Sequence, residues 1–244
     1  MDVHASGIVM RRSWRRVAYF DSTLSADLAE TLWQAPHSLL AGAVTLRKVG
    51  ARSTVRVDRH EQSFVLKHYE EPTFRHAVKQ NVSRSRARIT WLVAHKMANS
   101  GIATPRPVAC VENRLGPFRG DSYLMYPYVP GMTLRACLQC EADSPKIGVV
   151  REQLLELWDR LKQIRVSLAD TNLQNFIVGD SGRLWVIDVD KARFHRMAYV
   201  AQFYHERGWN QFSRHAHKTG QLAQRLVAEL RERLETPRPY ADFR

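Results

Sequence analysis

Cysteine is scarce in this chain, and its number is odd: Cys110, Cys137 and Cys140 are the only three among 244 residues. A disulfide framework is thereby excluded as the organising scaffold, and a reducing compartment is the natural setting. Cys137 and Cys140 form a lone CxxC, yet zinc asks for four ligands, no second pair exists, and three-residue spacing is simply one face of a helix. Long apolar runs are missing as well. No stretch approaches the roughly 18 residues a membrane span needs. The segment Gly7-Ile8-Val9-Met10-Arg11-Arg12-Ser13-Trp14-Arg15-Arg16 has no apolar core of signal-peptide length. A cytoplasmic location is therefore expected. Acidic residues vanish altogether between Thr73 and Pro107.

What is present is basic charge on an ordinary globular background. Hydrophobic residues make up 44% and aromatics 9%, enough for one large core or two small ones. The net charge is +13, with an isoelectric point near 10.1. Such a charge points to an anionic partner: nucleic acid, an acidic membrane leaflet or a phosphorylated substrate. No helix-turn-helix or aromatic-rich recognition module accompanies it, so nucleic acid is not expected.

The most informative stretch is Ser167-Leu168-Ala169-Asp170-Thr171-Asn172-Leu173-Gln174-Asn175-Phe176-Ile177-Val178, followed by Leu184-Trp185-Val186-Ile187-Asp188-Val189-Asp190. Asn175 to Val178 and Arg183 to Ile187 read as two short strands, joined by Gly179-Asp180-Ser181-Gly182, a composition made for a turn. That hairpin brings Asn175 and Asp188 to one open end. Magnesium takes hard oxygen ligands and keeps some of its water, so one amide oxygen, one carboxylate and substrate phosphates suffice to hold it. Asp170 would lie beside the metal without binding it. Each residue alone has a plainer role, as a turn cap or strand end; three in register within one hairpin do not.

Elsewhere the patterns are regular. Residues 1 to 40 interleave Arg11, Arg12, Arg15 and Arg16 with Trp14, Val17 and Phe20, which suits a phosphate-bearing membrane surface or an exposed edge strand. A helix capped by Ser25 is expected to run to Gln34. Alternation predicts three antiparallel strands at Val44–Val49, Thr54–Val57 and Ser63–Tyr69, with turns at Gly50-Ala51-Arg52-Ser53 and Asp58-Arg59-His60-Glu61. A long helix is predicted from Pro72 to Ser100, stopped by Gly101, Pro105 and Pro107. Two more strands follow, Val108–Val111 and Ser122–Val129, the latter running into a hinge-like Pro127-Tyr128-Val129-Pro130-Gly131. Residues 147 to 165 carry a helical stripe of Val150, Leu154, Leu157, Trp158, Leu161 and Ile164, and an amphipathic helix is expected from about Gln221 to Leu234.

The Asp170, Asn175 and Asp188 spacing resembles the phosphotransfer site of protein-kinase-like enzymes, in which one Asp faces the acceptor hydroxyl while an Asn and a second Asp hold magnesium. With Ile187-Asp188-Val189-Asp190-Lys191-Ala192-Arg193 and the strand Phe64-Val65-Leu66-Lys67, the chain is similar to the lipopolysaccharide core kinases over roughly residues 44 to 195. These are the bacterial heptose and Kdo kinases, a compact branch of that superfamily. The resemblance implies an α+β, bilobal fold: an extension and nucleotide-binding lobe over residues 1–126, a hinge at 127–131 and a helical C-lobe over 132–244 that carries the catalytic loop.

The resemblance further implies ATP and Mg²⁺ as cofactors, Asp170 as the group that orients or deprotonates a sugar hydroxyl, and Asn175 and Asp188 as metal ligands. Lys67 would hold the nucleotide phosphates, with Gly50, Arg52 and Ser53 in a flap. The Pro127 carbonyl and the Val129 N–H would meet adenine. Lys191 and Arg193 would point cations at the substrate. Implied partners are a lipopolysaccharide core or lipid A precursor and an anionic membrane surface, which makes the protein peripheral at the inner face of the inner membrane.

Some positions depart from the kinase pattern. The helix after Lys67 offers no Glu, so an acidic partner must come from elsewhere, Glu70 and Glu71 being nearest in sequence. Leu168 and Ala169 replace the His-Arg of protein kinases, and no Ala-Pro-Glu segment follows, so activation-loop regulation is not expected. A catalytically impaired membrane or assembly module is one alternative. Another is an aminoglycoside-type phosphotransferase, which a +13 protein suits poorly because a cationic drug needs an acidic site.

Overall fold

A computed structural model of the chain describes residues 7–59, 61–70, 85–115, 118–140 and 145–235. It has mixed α+β architecture and falls into two compact units, residues 1–96 with 105–128 and residues 97–104 with 129–244. Of the helix expected from Pro72 to Ser100, residues 72–84 lie outside the described residues, as does Glu71.

The first unit is a seven-stranded antiparallel sheet. In chain order its strands are β1 (Ile8–Arg12), β2 (Arg16–Asp21), β3 (Val44–Val49), β4 (Arg52–Arg59), β5 (Gln62–Tyr69), β6 (Ala109–Leu115) and β7 (Phe118–Pro127). Their order across the sheet is β1-β2-β6-β7-β5-β4-β3. β5 lies inside it and is buried from Phe64 to Tyr69, because both faces are covered and side chains alternate between them. Phe64 and Leu66 pack with Val55, Val57 and Met125 against Leu28, Ala29 and Leu32 of α1 (Ala26–Gln34). On the other face Tyr69, Leu124 and Cys110 meet Ala87 and Trp91 of α2 (Arg86–Asn99). Burying such side chains contributes about 1.5–3 kcal/mol each.

Local chemistry sets the ends of these elements. Ser25 caps α1 by accepting from the Leu28 N–H, as its place before the apolar stripe predicted. Ser85 does the same for α2 through the Arg88 N–H. The Gly50 turn is tighter than four residues: Arg52 and Ser53 lie inside β4, paired with Val49 and Lys48, and Gly50 alone takes a left-handed φ of 55°. The Arg-rich N-terminal segment forms the edge strand β1, with Trp14 exposed beyond it.

Among the described residues, the second unit combines short strands with the helices α3 (Leu134–Cys140), α4 (Pro145–Gln163), α5 (Ala198–His217) and α6 (Gln221–Glu235). β8 (Gly131–Thr133), β10 (Phe176–Gly179) and β11 (Leu184–Val186) make a three-stranded sheet in the order β11-β10-β8. β9 (Val166–Ser167) pairs with β12 (Arg193–Phe194). The predicted stripe of α4 buries Val150, Leu154, Trp158 and Leu161. Trp158 packs edge-on against Trp209 and Phe212 of α5, and Phe212 meets Phe176 of β10. Cys137 points inward and Cys140 outward, so the CxxC does not form one site. Among the described residues, no helix is long and apolar enough to cross a membrane.

Candidate active site

The Asp170 loop begins where α4 ends. Arg165 adopts a left-handed φ of 53°, turning the chain into the short β9, whose Ser167 pairs with Arg193. Leu168 and Thr171 are buried, and the Thr171 hydroxyl donates to the Gly208 carbonyl at 2.7 Å. That contact needs glycine on α5: a Cβ at 208 would stand 2.9 Å from the Leu168 carbonyl oxygen. The loop is thus clamped from below while the Asp170 side chain, 34% exposed, reaches solvent.

Asn172 closes the loop by accepting from the Gln174 N–H at 3.1 Å, which caps a 3-10 turn over Leu173–Asn175. Asn175 therefore ends this turn instead of starting the predicted strand, and β10 begins at Phe176. The Asn175 amide Nδ2 donates to the Asp170 carbonyl at 3.1 Å, and the Asn175 carbonyl accepts from the Ile187 N–H at 2.8 Å. These two bonds tie the loop, the amide and the end of β11 together. The turn between β10 and β11 closes through Gly182 N–H to the Gly179 carbonyl at 2.8 Å, and α4 grips it: Gln153 donates to the Gly182 carbonyl and accepts from Leu184 N–H.

Asp188 follows with φ 58° and ψ 52°, a left-handed conformation that Asp tolerates better than most residues but that still costs about 1 kcal/mol. A strained carboxylate two residues past the end of β11, and next to the Ile187 that Asn175 holds, is the kind of outlier from which a functional position is inferred. The Lys191 ammonium stands 3.9 Å from the Asp170 carboxylate, both partly solvated. Arg193 is exposed on β12.

With Nδ2 donating to Asp170, Oδ1 is the atom the Asn175 amide could offer a metal, and with a carboxylate at 188 the donors would be all oxygen, the set that magnesium prefers. Among the described residues there is no group of three or more His, Cys, Asp or Glu side chains that could hold a metal. A metal here would therefore depend on the Asn175 amide, Asp188 and oxygens brought by substrate.

Support for the loop also comes from residues that sequence patterns did not single out. Ser167 shares a 2.7 Å hydrogen bond with His195, whose ring stacks on Tyr204. Burial and the nearby Arg193 push the His195 pKa below its ordinary value, favouring the neutral ring. Gly131 opens β8 at φ 139°, where a side chain would run into the Val178 carbonyl. Gly208 stood in the sequence as an isolated glycine next to Trp209, a signal for close backbone approach.

The remaining candidates lie in the first unit, apart from Val129. Lys67 is only 8% exposed, pairs with Thr54 and Leu124 across the sheet, and lies over the Tyr126 ring at 5.7 Å. Gly50 sits at the tip of the β3–β4 hairpin with open space around it. Pro127 closes β7 opposite Phe64, and the adjacent Tyr128 N–H donates to the Ser63 carbonyl. Val129 follows, half-buried, in the second unit.

An acid, an amide and a second acid held in this order around a hairpin define a site suited to phosphoryl transfer. The profile of the lipopolysaccharide kinase (Kdo/WaaP) family matches residues 30–232. The chain belongs to that family, and so to a family of kinases. A 3-deoxy-D-manno-octulosonic acid kinase of Vibrio parahaemolyticus is 24% identical over 189 residues, covering 75% of this chain and 78% of the relative.

Proposed function

We propose that this protein is an ATP- and Mg²⁺-dependent kinase that phosphorylates a sugar hydroxyl of the lipopolysaccharide inner core. The name of the Vibrio relative favours Kdo over heptose as the acceptor sugar. The observation that carries the reading is the hydrogen-bonded unit of Asp170, Asn175 and the end of β11 that leads into Asp188. In this reading the fold is protein-kinase-like and bilobal, with residues 127–131 as its hinge.

Asp170 accepts a hydrogen bond from the acceptor hydroxyl and takes its proton as the oxygen attacks the γ-phosphorus. The O–P bond forms as the bond from the γ-phosphorus to the bridging oxygen breaks, and ADP leaves. Lys191 lowers the cost of negative charge near Asp170 and steers anionic substrate groups toward it. Bound between Asn175, Asp188 and the phosphates, magnesium would neutralise charge on the nucleotide. Lys67 and the Gly50 hairpin are the proposed phosphate contacts, the Pro127 carbonyl and Val129 N–H the proposed adenine contacts, and Arg193 a second substrate cation.

The test combines ATP, Mg²⁺ and a Kdo-bearing lipid A precursor with the purified protein and reads the product by mass spectrometry. A gain of one phosphate on the sugar is expected, and Asp170→Ala should lower turnover about 10³-fold, within the usual range for a lost general base. ATP turnover persisting in that variant at the wild-type rate would end the assignment.

A further inference from the structure

α5 has two apolar sides, and its core stripe accounts for only one of them. Ala201, His205, Gly208, Phe212 and Ala216 face inward. On the outer side Tyr199 is 70% exposed, Phe203 61%, and Met197, at the N-cap, 55%. Steps of four residues align Tyr199, Phe203 and Arg207 on that side, with Arg214 two turns further along, and Arg196 lies just before the helix, next to its N-cap Met197. All three arginines are exposed. One acid, Glu206, stands beside the row and accepts from Gln202.

Single exposed hydrophobes need no explanation, but two exposed aromatics one turn apart, with Arg207 a turn beyond them and Arg196 just before the helix, make an amphipathic face. Its chemistry is that of a membrane interface. Tyr and Phe rings settle at the boundary between headgroups and acyl chains, and Arg guanidinium groups reach anionic phosphates while their stems lie along apolar surface. The excess of basic residues in the whole chain, +13, is complementary to an acidic leaflet. A second copy of the chain fits less well: in a two-fold interface the same patch meets itself, bringing the row of arginines against its own counterpart.

We infer that the Tyr199-Phe203-Arg207 face of α5, with Arg196 just before the helix, is a seat on an anionic lipid surface. It rests on the proposed function, in which the acceptor sugar is carried by a lipid. The same helix is bonded to the Asp170 loop through Thr171 and Gly208, so whatever orients this face also orients the loop.

The wild-type protein, Tyr199→Ser/Phe203→Ser and Arg196→Glu/Arg207→Glu are sedimented with vesicles of phosphatidylcholine, with and without phosphatidylglycerol. Their turnover is measured on a lipid-linked acceptor in vesicles and on the lipid-free oligosaccharide. Wild type should bind the anionic vesicles preferentially. Both variants should bind them about tenfold or more weaker, lose turnover of the lipid-linked acceptor in proportion, and keep that of the lipid-free one. Vesicle binding within twofold of wild type in both variants overturns the inference. So does a wild-type dimer, seen by light scattering, that both variants dissolve. If wild type turns over neither acceptor, the proposed function fails while the sedimentation result still decides the lipid seat.

Discussion

Lys67 and Asp170, both proposed site residues, show two ways of holding a side chain in place. Lys67 lies inside a strand with a neighbour on each side, so the hydrogen-bond ladders to β4 and β7 set its position and neither depends on side-chain identity. Asp170 lies on no regular element. Its place comes from side chains and close approaches: Thr171 on the Gly208 carbonyl, the Asn175 amide on its own carbonyl, and glycine where α5 crosses the loop. The first arrangement tolerates substitution around it. The second does not, because each contact is made once and by one kind of residue.

The sharpest test of that contrast is Gly131→Ala. The residue would need a φ of 139°, and its Cβ would collide with backbone, so stability should fall by about 3 kcal/mol in denaturant titrations, with activity lost in parallel. Gly208→Ala should cost about 2 kcal/mol and, by shifting the Leu168 carbonyl, lower kcat more than it alters KM. Thr171→Val leaves a buried contact unmade and should cost about 1–2 kcal/mol, against about 0.5 kcal/mol or less for the same change at exposed Thr45 of β3. Equal losses at 45 and 171 would erase the distinction between ladder and clamp.

The smallest effect is a pH slope. Burial holds His95 in the first unit and His205 in the second below the usual histidine value of 6.5. A group whose folded pKa is depressed leaves the unfolded chain binding more protons. Stability should therefore be level above about pH 6.5 and decline as pH falls from there through the folded values. His205→Gln, which can still donate to the Leu161 carbonyl, should flatten part of that decline while His95 and His195 keep the rest. An unchanged slope in urea titrations between neutral and mildly acid pH would count against the burial argument.

Much of the fold was legible because it is local. Alternation located β3 to β5, although β4 proved longer than predicted since the Gly50 turn needs fewer residues. Ser25 announced α1, the apolar stripe announced α4, and the Asp-Ser-Gly turn announced the β10–β11 hairpin. Less was legible where pattern and role diverge. α5 went unread, since its outer aromatics and internal histidines blur the helical period. Gly131 opens β8, and its pairing with β10 is one that nothing in its immediate neighbourhood announces.

Residue order alone determined which segments extend, which coil and where they turn, and it placed Asp170, Asn175 and Asp188 at spacings a hairpin can gather, because all of this depends on neighbours a few positions apart. Tertiary structure alone decided that Asp188 is left-handed, that Lys191 reaches Asp170 and that residue 208 must be glycine. Those outcomes depend on backbone segments meeting across tens of residues, where steric exclusion and burial act on pairs that no local pattern records.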